Sequence, residues 1–141
     1  MPKLNIVEQV IALEGVGLFG SLAPEQVARI ATIAREVKFA PGAVILDASK
    51  PIDALYVIVE GSVELSHEGE PLTTARQDEV LGAWALFGDN DPMRVTARAS
   101  EDTRLLCIGR EDFFELLADH SEITSKIFAT LVKRFRGLAE Q

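Results

Sequence analysis

Residues 81–98, LGAWALFGDNDPMRVTAR, are the part of this chain whose residue types and spacing best suit binding chemistry. A small turn at Gly82, an apolar run through Trp84, Ala85, Leu86 and Phe87, and a Gly-Asp-Asn-Asp-Pro loop lead into a strand that starts near Arg94. Where such a run opens a short helix, its first backbone N–H groups, near Trp84, Ala85 and Leu86, meet an anion with the help of the helix dipole. Arg94 would add a charged fork and Thr96 a hydroxyl, and Trp84 an aromatic face for a planar group. Side chains alternate along a strand, so Met93, Val95 and Ala97 face one way and Arg94, Thr96 and Arg98 the other. Arg94 then reaches the anion only if the backbone at the loop end turns it inward. The plainer reading is a core Trp84, a solvated Arg94 at a strand edge, and a Thr96 that needs no function.

Other chemistry is poorly supplied. His67 and His120 stand in separate elements with no second histidine nearby, which does not make a metal site. Asp89 and Asp91 sit in a Gly-Pro loop where turn formation already accounts for them. Cys107 is the only cysteine, so no internal disulfide forms, and its place in the run from Leu105 to Ile108 marks it as a small buried apolar residue. With no nucleophile motif of serine or cysteine either, the expectation is a protein that is not an enzyme and holds no metal.

The chain has 141 residues, 48% hydrophobic and 26% charged, which fits a single soluble globular domain spanning 1–141. Its 14 Lys and Arg against 22 Asp and Glu give a net charge of -8. Nucleic acid is therefore not an expected partner, because binding to a phosphate backbone rests on clustered cations. Without a basic, apolar leader or a run long enough to span a bilayer, the expected place is the cytoplasm, as a free domain or the cytosolic piece of a larger protein.

Around the binding segment the periodicity changes twice. Residues 1–35 read as N-terminal helices: Leu4, Ile6, Val7, Val10, Ile11 and Leu13 recur at helical spacing, and Pro24 opens a second stripe through Val27, Ile30, Ala31, Ile33 and Ala34. From 36 to 109 the period is two and turn residues recur every eight to twelve positions, predicting strands at 37–39, 43–46, 54–60, 62–67, 72–75, 94–99 and 104–108. Residues 110–141 return to helix as a pair, the second running from Ser121 to Leu138, with a capping box expected from Asp119 and Glu122. Thr124, Phe128, Leu131, Phe135 and Leu138 make a seam suited to pairing, Ile123 and Ile127 a second apolar face. Lys126, Lys133, Arg134 and Arg136 read as cations that complement the helix C-terminus. The predicted fold is mainly β with flanking helices: an antiparallel β-jelly roll, or double-stranded β-helix.

Five stretches in order, LFGSLAPEQ, FAPGAVIL, LYVIVEGSVEL, residues 81–98 and EDTRLLCIGREDFFELL, resemble the cyclic nucleotide-binding domain family over nearly the whole chain. In that family the binding segment, a phosphate-binding cassette, reads roughly Phe-Gly-Glu-x-Ala-Leu, a loop, then Arg-x-Ala-Thr, the Glu holding the ribose hydroxyl and the Arg the cyclic phosphate. Gly82, Ala85, Leu86 and Thr96 fit that pattern, whereas the Glu and Arg places hold Ala83 and Met93. The resemblance thus implies a regulatory sensor whose pocket is formed by Gly82, Ala83, Trp84, Ala85, Leu86, Met93, Arg94 and Thr96. Its affinity for cAMP or cGMP is weakened or lost, with another small anionic ligand left open. It also implies a terminal helix that responds to occupancy, with Phe128, Leu131, Phe135 and Leu138 facing a second copy or an effector domain. The other possibility is a degenerate dimerisation module with no nucleotide ligand.

Overall fold

The structure, a computed structural model, describes residues 3–83 and 95–139. Residues 34–110 form a β unit, and the segments before and after it form a helical unit.

The β unit contains β1 (Ala34–Phe39), β2 (Val44–Leu46), β3 (Ala54–Glu60), β4 (Val63–His67), β5 (Glu70–Ala75), β6 (Val80–Leu81), β7 (Val95–Ala99) and β8 (Thr103–Gly109). They pair in two four-stranded antiparallel sheets, ordered β1-β8-β3-β6 and β2-β7-β4-β5, as a jelly roll requires. Strand β8 is buried from Thr103 to Ile108 and hydrogen-bonds to β1 on one side and β3 on the other. Its Leu105 lies opposite both Val37 and Ile58, and with Leu81 these meet Leu46, Val63, Ala75 and Ala97 of the second sheet in the core. The interior therefore takes alternate residues of each strand, which is the period-two pattern seen in the sequence.

Several strand limits differ from expectation, β2, β4 and β8 by a single residue at one end or both, and β6 was not expected. β1 begins at Ala34 because it pairs with Ile108 at the far end of β8, so the preceding helix stops at Ile33 and Ala34 does not continue its stripe. β5 begins at Glu70 and includes Pro71, which is tolerated because β5 is an edge strand. The two-residue β6 is too short to show a period. The expected start of β7 at Arg94 lies outside the described residues, and the strand is described from Val95.

At the β3–β4 turn Gly61 takes φ 101°, and a Cβ there would sit 2.7 Å from the Asp102 carbonyl oxygen. Beside it the Ser62 and Ser100 hydroxyls hydrogen-bond, and Thr103 donates to the Ser62 carbonyl at 3.1 Å. On the β8 face turned away from Leu105, Arg104 Nε lies 3.2 Å from the Glu36 carboxylate and 3.5 Å from that of Glu60. The Arg104 and Glu36 side chains are only 9% and 4% exposed, so these charges compensate one another largely out of water.

In the helical unit, α1 (Ile6–Glu14) starts two residues later than the apolar pattern suggests, because Asn5 is its cap. The Asn5 side chain accepts from the Glu8 N–H at 2.8 Å and Glu8 accepts from the Asn5 N–H at 3.0 Å, a reciprocal box the pattern did not reveal. A 3-10 turn (Gly17–Phe19) and α2 (Pro24–Ile33) follow, with Pro24 at the first helical position as expected. After the roll come α3 (Arg110–Asp119) and α4 (Ser121–Ala139). Asp119 belongs to α3 and does not cap α4; the His120 carbonyl accepts from the N–H groups of Ile123 and Thr124 at 3.1 and 3.2 Å.

Helix α4 is divided as its two predicted faces require. Ile123 and Ile127 are buried, whereas Phe128, Phe135 and Leu138 are 67%, 72% and 69% exposed and Leu131 is half-buried. Two of its cations do more than complement a dipole: Lys126 donates to the Gln26 side chain at 2.9 Å, and the Arg134 guanidinium lies against Gly17.

Removing one partner of a buried, charge-assisted contact costs about 1–3 kcal/mol, more where the remaining charge stays out of water. Arg104→Met removes the cation beside the buried Glu36, whereas the Glu60 side chain is 42% exposed, and is expected to lower unfolding stability by about 1–3 kcal/mol in urea denaturation. An unchanged midpoint would show that the group contributes nothing.

Candidate ligand site

The binding segment enters the described structure at Leu81 and Gly82. Leu81 pairs with Tyr56, Tyr56 with Cys107, and Cys107 with Arg35, so one rung crosses all four strands of the first sheet and ends at the start of the segment. Gly82 adopts φ 86°, and a Cβ on it would lie 2.5 Å from the Ala54 carbonyl oxygen and 3.1 Å from Ile52 Cγ2. Neither the backbone angle nor the space admits a side chain, so glycine lets the chain turn hard against β3. Ala83 follows, half-buried, with a methyl that can neither accept nor donate a hydrogen bond.

Of the residues that the sequence nominates, Gly82, Ala83 and Thr96 are described; Trp84, Ala85, Leu86, Met93 and Arg94 lie outside the described residues. In β7 the register settles orientation. Ala97 is fully buried opposite Leu65 and belongs to the interior core, while Arg98 is exposed. Thr96, opposite Ser66, shares the Arg98 face, so it is Ala97 that β7 turns inward and Thr96 lies on the outside of the sheet.

Beyond Ile52 a cavity of about 380 Å³ opens, lined by Leu46, Asp47, Lys50, Ile52, Asp53 and Tyr56 among others. Its lining mixes aliphatic side chains with Asp47, Lys50, Asp53 and Tyr56, and its volume is at the lower end of the usual range for small-ligand sites. Sequence reasoning did not single out these positions; a lone tyrosine in an otherwise aliphatic strand was the available signal. The Ser49 backbone N–H and hydroxyl both donate to Asp47, at 2.9 and 2.7 Å, and hold its carboxyl below the ordinary range, with Lys50 and Arg98 adding to the effect. For Tyr56, burial pushes the phenol above its usual 10.0. Negative charge at Cys107 and Asp53 and the hydrogen bond with the Cys107 thiol act the same way, against an opposing effect from Arg35. The Tyr56 hydroxyl thus stays protonated and available as a donor throughout the neutral range.

Among the described residues no group of three or more His, Cys, Asp or Glu could hold a metal ion, and no helix is long and apolar enough to cross a membrane. His120 Nδ1 lies 3.5 Å from the Glu122 carboxylate, a local pair on the helical unit.

The described residues thus form a jelly roll with a glycine-turned segment at the edge of its first sheet, and comparison with known proteins gives its family. The profile of the cyclic nucleotide-binding domain matches residues 36–120, and the chain belongs to that family. It is 34% identical over 107 residues to the cAMP-dependent protein kinase regulatory subunit of Emericella nidulans, covering 74% of this chain and 26% of that protein. With the cyclic AMP receptor protein of Thermus thermophilus it shares 30% identity over 131 residues, covering 88% of this chain and 59% of the other. Among solved structures, the N-terminal domain of a transcriptional regulator from Streptomyces coelicolor A3(2) superposes with a TM-score of 0.83 at 28% identity, covering 92% of this chain and 95% of that one. The chain therefore spans about a quarter of the kinase subunit and well over half of the receptor protein.

Tyr56 is the one tyrosine of the chain, so the whole phenolate absorbance of the native protein reports on it. Its folded pKa lies above the unfolded value. Its contribution to stability is therefore constant below pH ~10 and is lost as pH rises through the folded pKa. In a spectroscopic titration the native midpoint should exceed that of the urea-unfolded chain, and Cys107→Ala should bring it only part of the way back, since burial remains. Coincident native and unfolded curves would contradict the packing of Tyr56.

Proposed function

We propose that this chain is a non-catalytic sensor domain of the cyclic nucleotide-binding type in which ordinary cAMP or cGMP affinity is weakened or lost. The observation that carries this reading is Ala83 directly after a Gly82 whose backbone turn is intact. By the family resemblance a carboxylate belongs at Ala83 and an arginine at Met93. Charge-assisted hydrogen bonds contribute about 1.5–3 kcal/mol each, so losing both sets weakens binding by orders of magnitude. Backbone N–H groups of the segment would remain for an anion.

The names of the related proteins, kinase regulatory subunits and cAMP-responsive receptor proteins, support a regulatory role with no chemical step of its own. In this reading the domain works in the cytoplasm, takes a small molecule as partner, and passes the signal to a second copy or an effector through α4. The exposure of Phe128, Phe135 and Leu138 favours such a surface, and Leu131 extends it. It equally favours the second reading, an interaction module that keeps the fold and binds no nucleotide.

Calorimetric titration with cAMP tests the first reading against restored chemistry. The natural chain is expected to bind more weakly than about 10 micromolar, or roughly -7 kcal/mol. Ala83→Glu combined with Met93→Arg should gain at least about tenfold, some 1.4 kcal/mol. Tight binding by the natural chain would sink the proposal of lost affinity. If neither protein binds, the interaction module is the better account.

A further inference from the structure

Helix α4 is held to the segment before and within α2 by contacts that step antiparallel along both. Lys126 Nζ donates to Gln26 Oε1 at 2.9 Å, and the Ser21 and Thr130 hydroxyls hydrogen-bond at 2.9 Å. A turn further on, the Arg134 guanidinium lies beside Gly17, where a Cβ on Gly17 would collide with Arg134 Nη2. On α4 these positions are four residues apart and so share one face. Gln26 is itself fixed, since its Oε1 also accepts from the Ala23 N–H at 2.9 Å.

The nature of the attachment changes along the helix. In its first half the inward residues Ile123 and Ile127 are buried at 0% and 3%, an apolar anchor. Burial ends at Thr130, and every residue from Val132 to Leu138 is exposed. This stretch contains Gly137, which has open space around it and lowers helix propensity. Two exposed helical turns with an internal glycine are far shorter than an isolated helix that persists in water. They continue the docked half of one helix, Ser121–Ala139, and any contact they make adds to what that continuity provides.

We infer that Arg134, seated on Gly17, is the latch that positions the last two turns of α4, while Ile123 and Ile127 anchor the first half independently. Gly17 is the other half of the device, because a side chain there would displace the guanidinium from its present place. Release of the latch frees residues 132–138 without undocking the helix. The exposed Phe135 and Leu138 travel with that segment, so the latch sets where they are presented. The inference stands on these contacts alone and does not depend on which ligand the β unit takes.

Hydrogen exchange resolved along α4, measured on the full chain, tests it. Arg134→Ala is expected to speed exchange of the 132–138 amides by a few-fold, on the order of the loss of one packing contact. The amides of 123–127 and the melting temperature should stay where they were. Gly17→Ala should give the same pattern with Arg134 intact, by displacement. If Gly17→Ala fails to fold, the exposed Arg134→Ala substitution decides alone. Unchanged exchange at 132–138, or acceleration spread evenly over α4 and the buried strands, would overturn the latch.

Discussion

The pairing of β8 with two neighbours at once is the constraint on which the β unit depends. From Thr103 to Ile108 this strand is buried, so its backbone groups must find partners among the strands beside it, β1 and β3. That requirement fixes the register of three strands together. It places Leu105 between Val37 and Ile58, and Cys107 between Arg35 and Tyr56. Through Tyr56 it also fixes β6, and β6 delivers the chain to Gly82. The start of the binding segment is thus a consequence of the sheet, carried one rung at a time from a buried strand to its edge.

At Gly82 the sheet and the site meet. The chain turns within contact of the Ala54 carbonyl, a path closed to any residue with a side chain. This backbone demand is separate from the chemistry of the residue that follows. Ala83 can therefore replace a polar residue without disturbing the turn, and the fold can persist while the ligand chemistry changes. The helical unit shows a comparable separation on another scale: Ile123 and Ile127 supply anchoring on one face of α4, while Phe128, Phe135 and Leu138 are left to solvent on another.

Much of this was legible in the sequence, for identifiable reasons. Period-two runs revealed most strands because each sheet buries one side of its strands in a common interior, and the two faces of α4 showed in its helical spacing. The alternation that put Thr96 and Arg98 together, away from Ala97, held in β7, which removes Thr96 from the interior although its residue type suited a ligand. Other features left no periodic trace. Two residues of β6 are too few to show a pattern, and Ala34 joined a strand only because Ile108 was there to pair with it. Lys126 and Arg134 looked like surface cations since their partners, Gln26 and Gly17, lie a hundred residues or more away in the chain. The cavity beside Tyr56 was hidden for the same reason: its walls come from a loop and two strands that only the fold brings together.

The proposed loss of ordinary cyclic nucleotide affinity has to coexist with an intact roll and an intact turn at Gly82. The most direct measurement is an amide NMR titration of the uniformly labelled natural chain with cAMP, following Gly82 and Ala83. The account predicts dispersed spectra of a folded protein in which these two signals show no saturating change at about 10 micromolar ligand, where a -7 kcal/mol site would be half filled. Saturation of both signals in that range would contradict it.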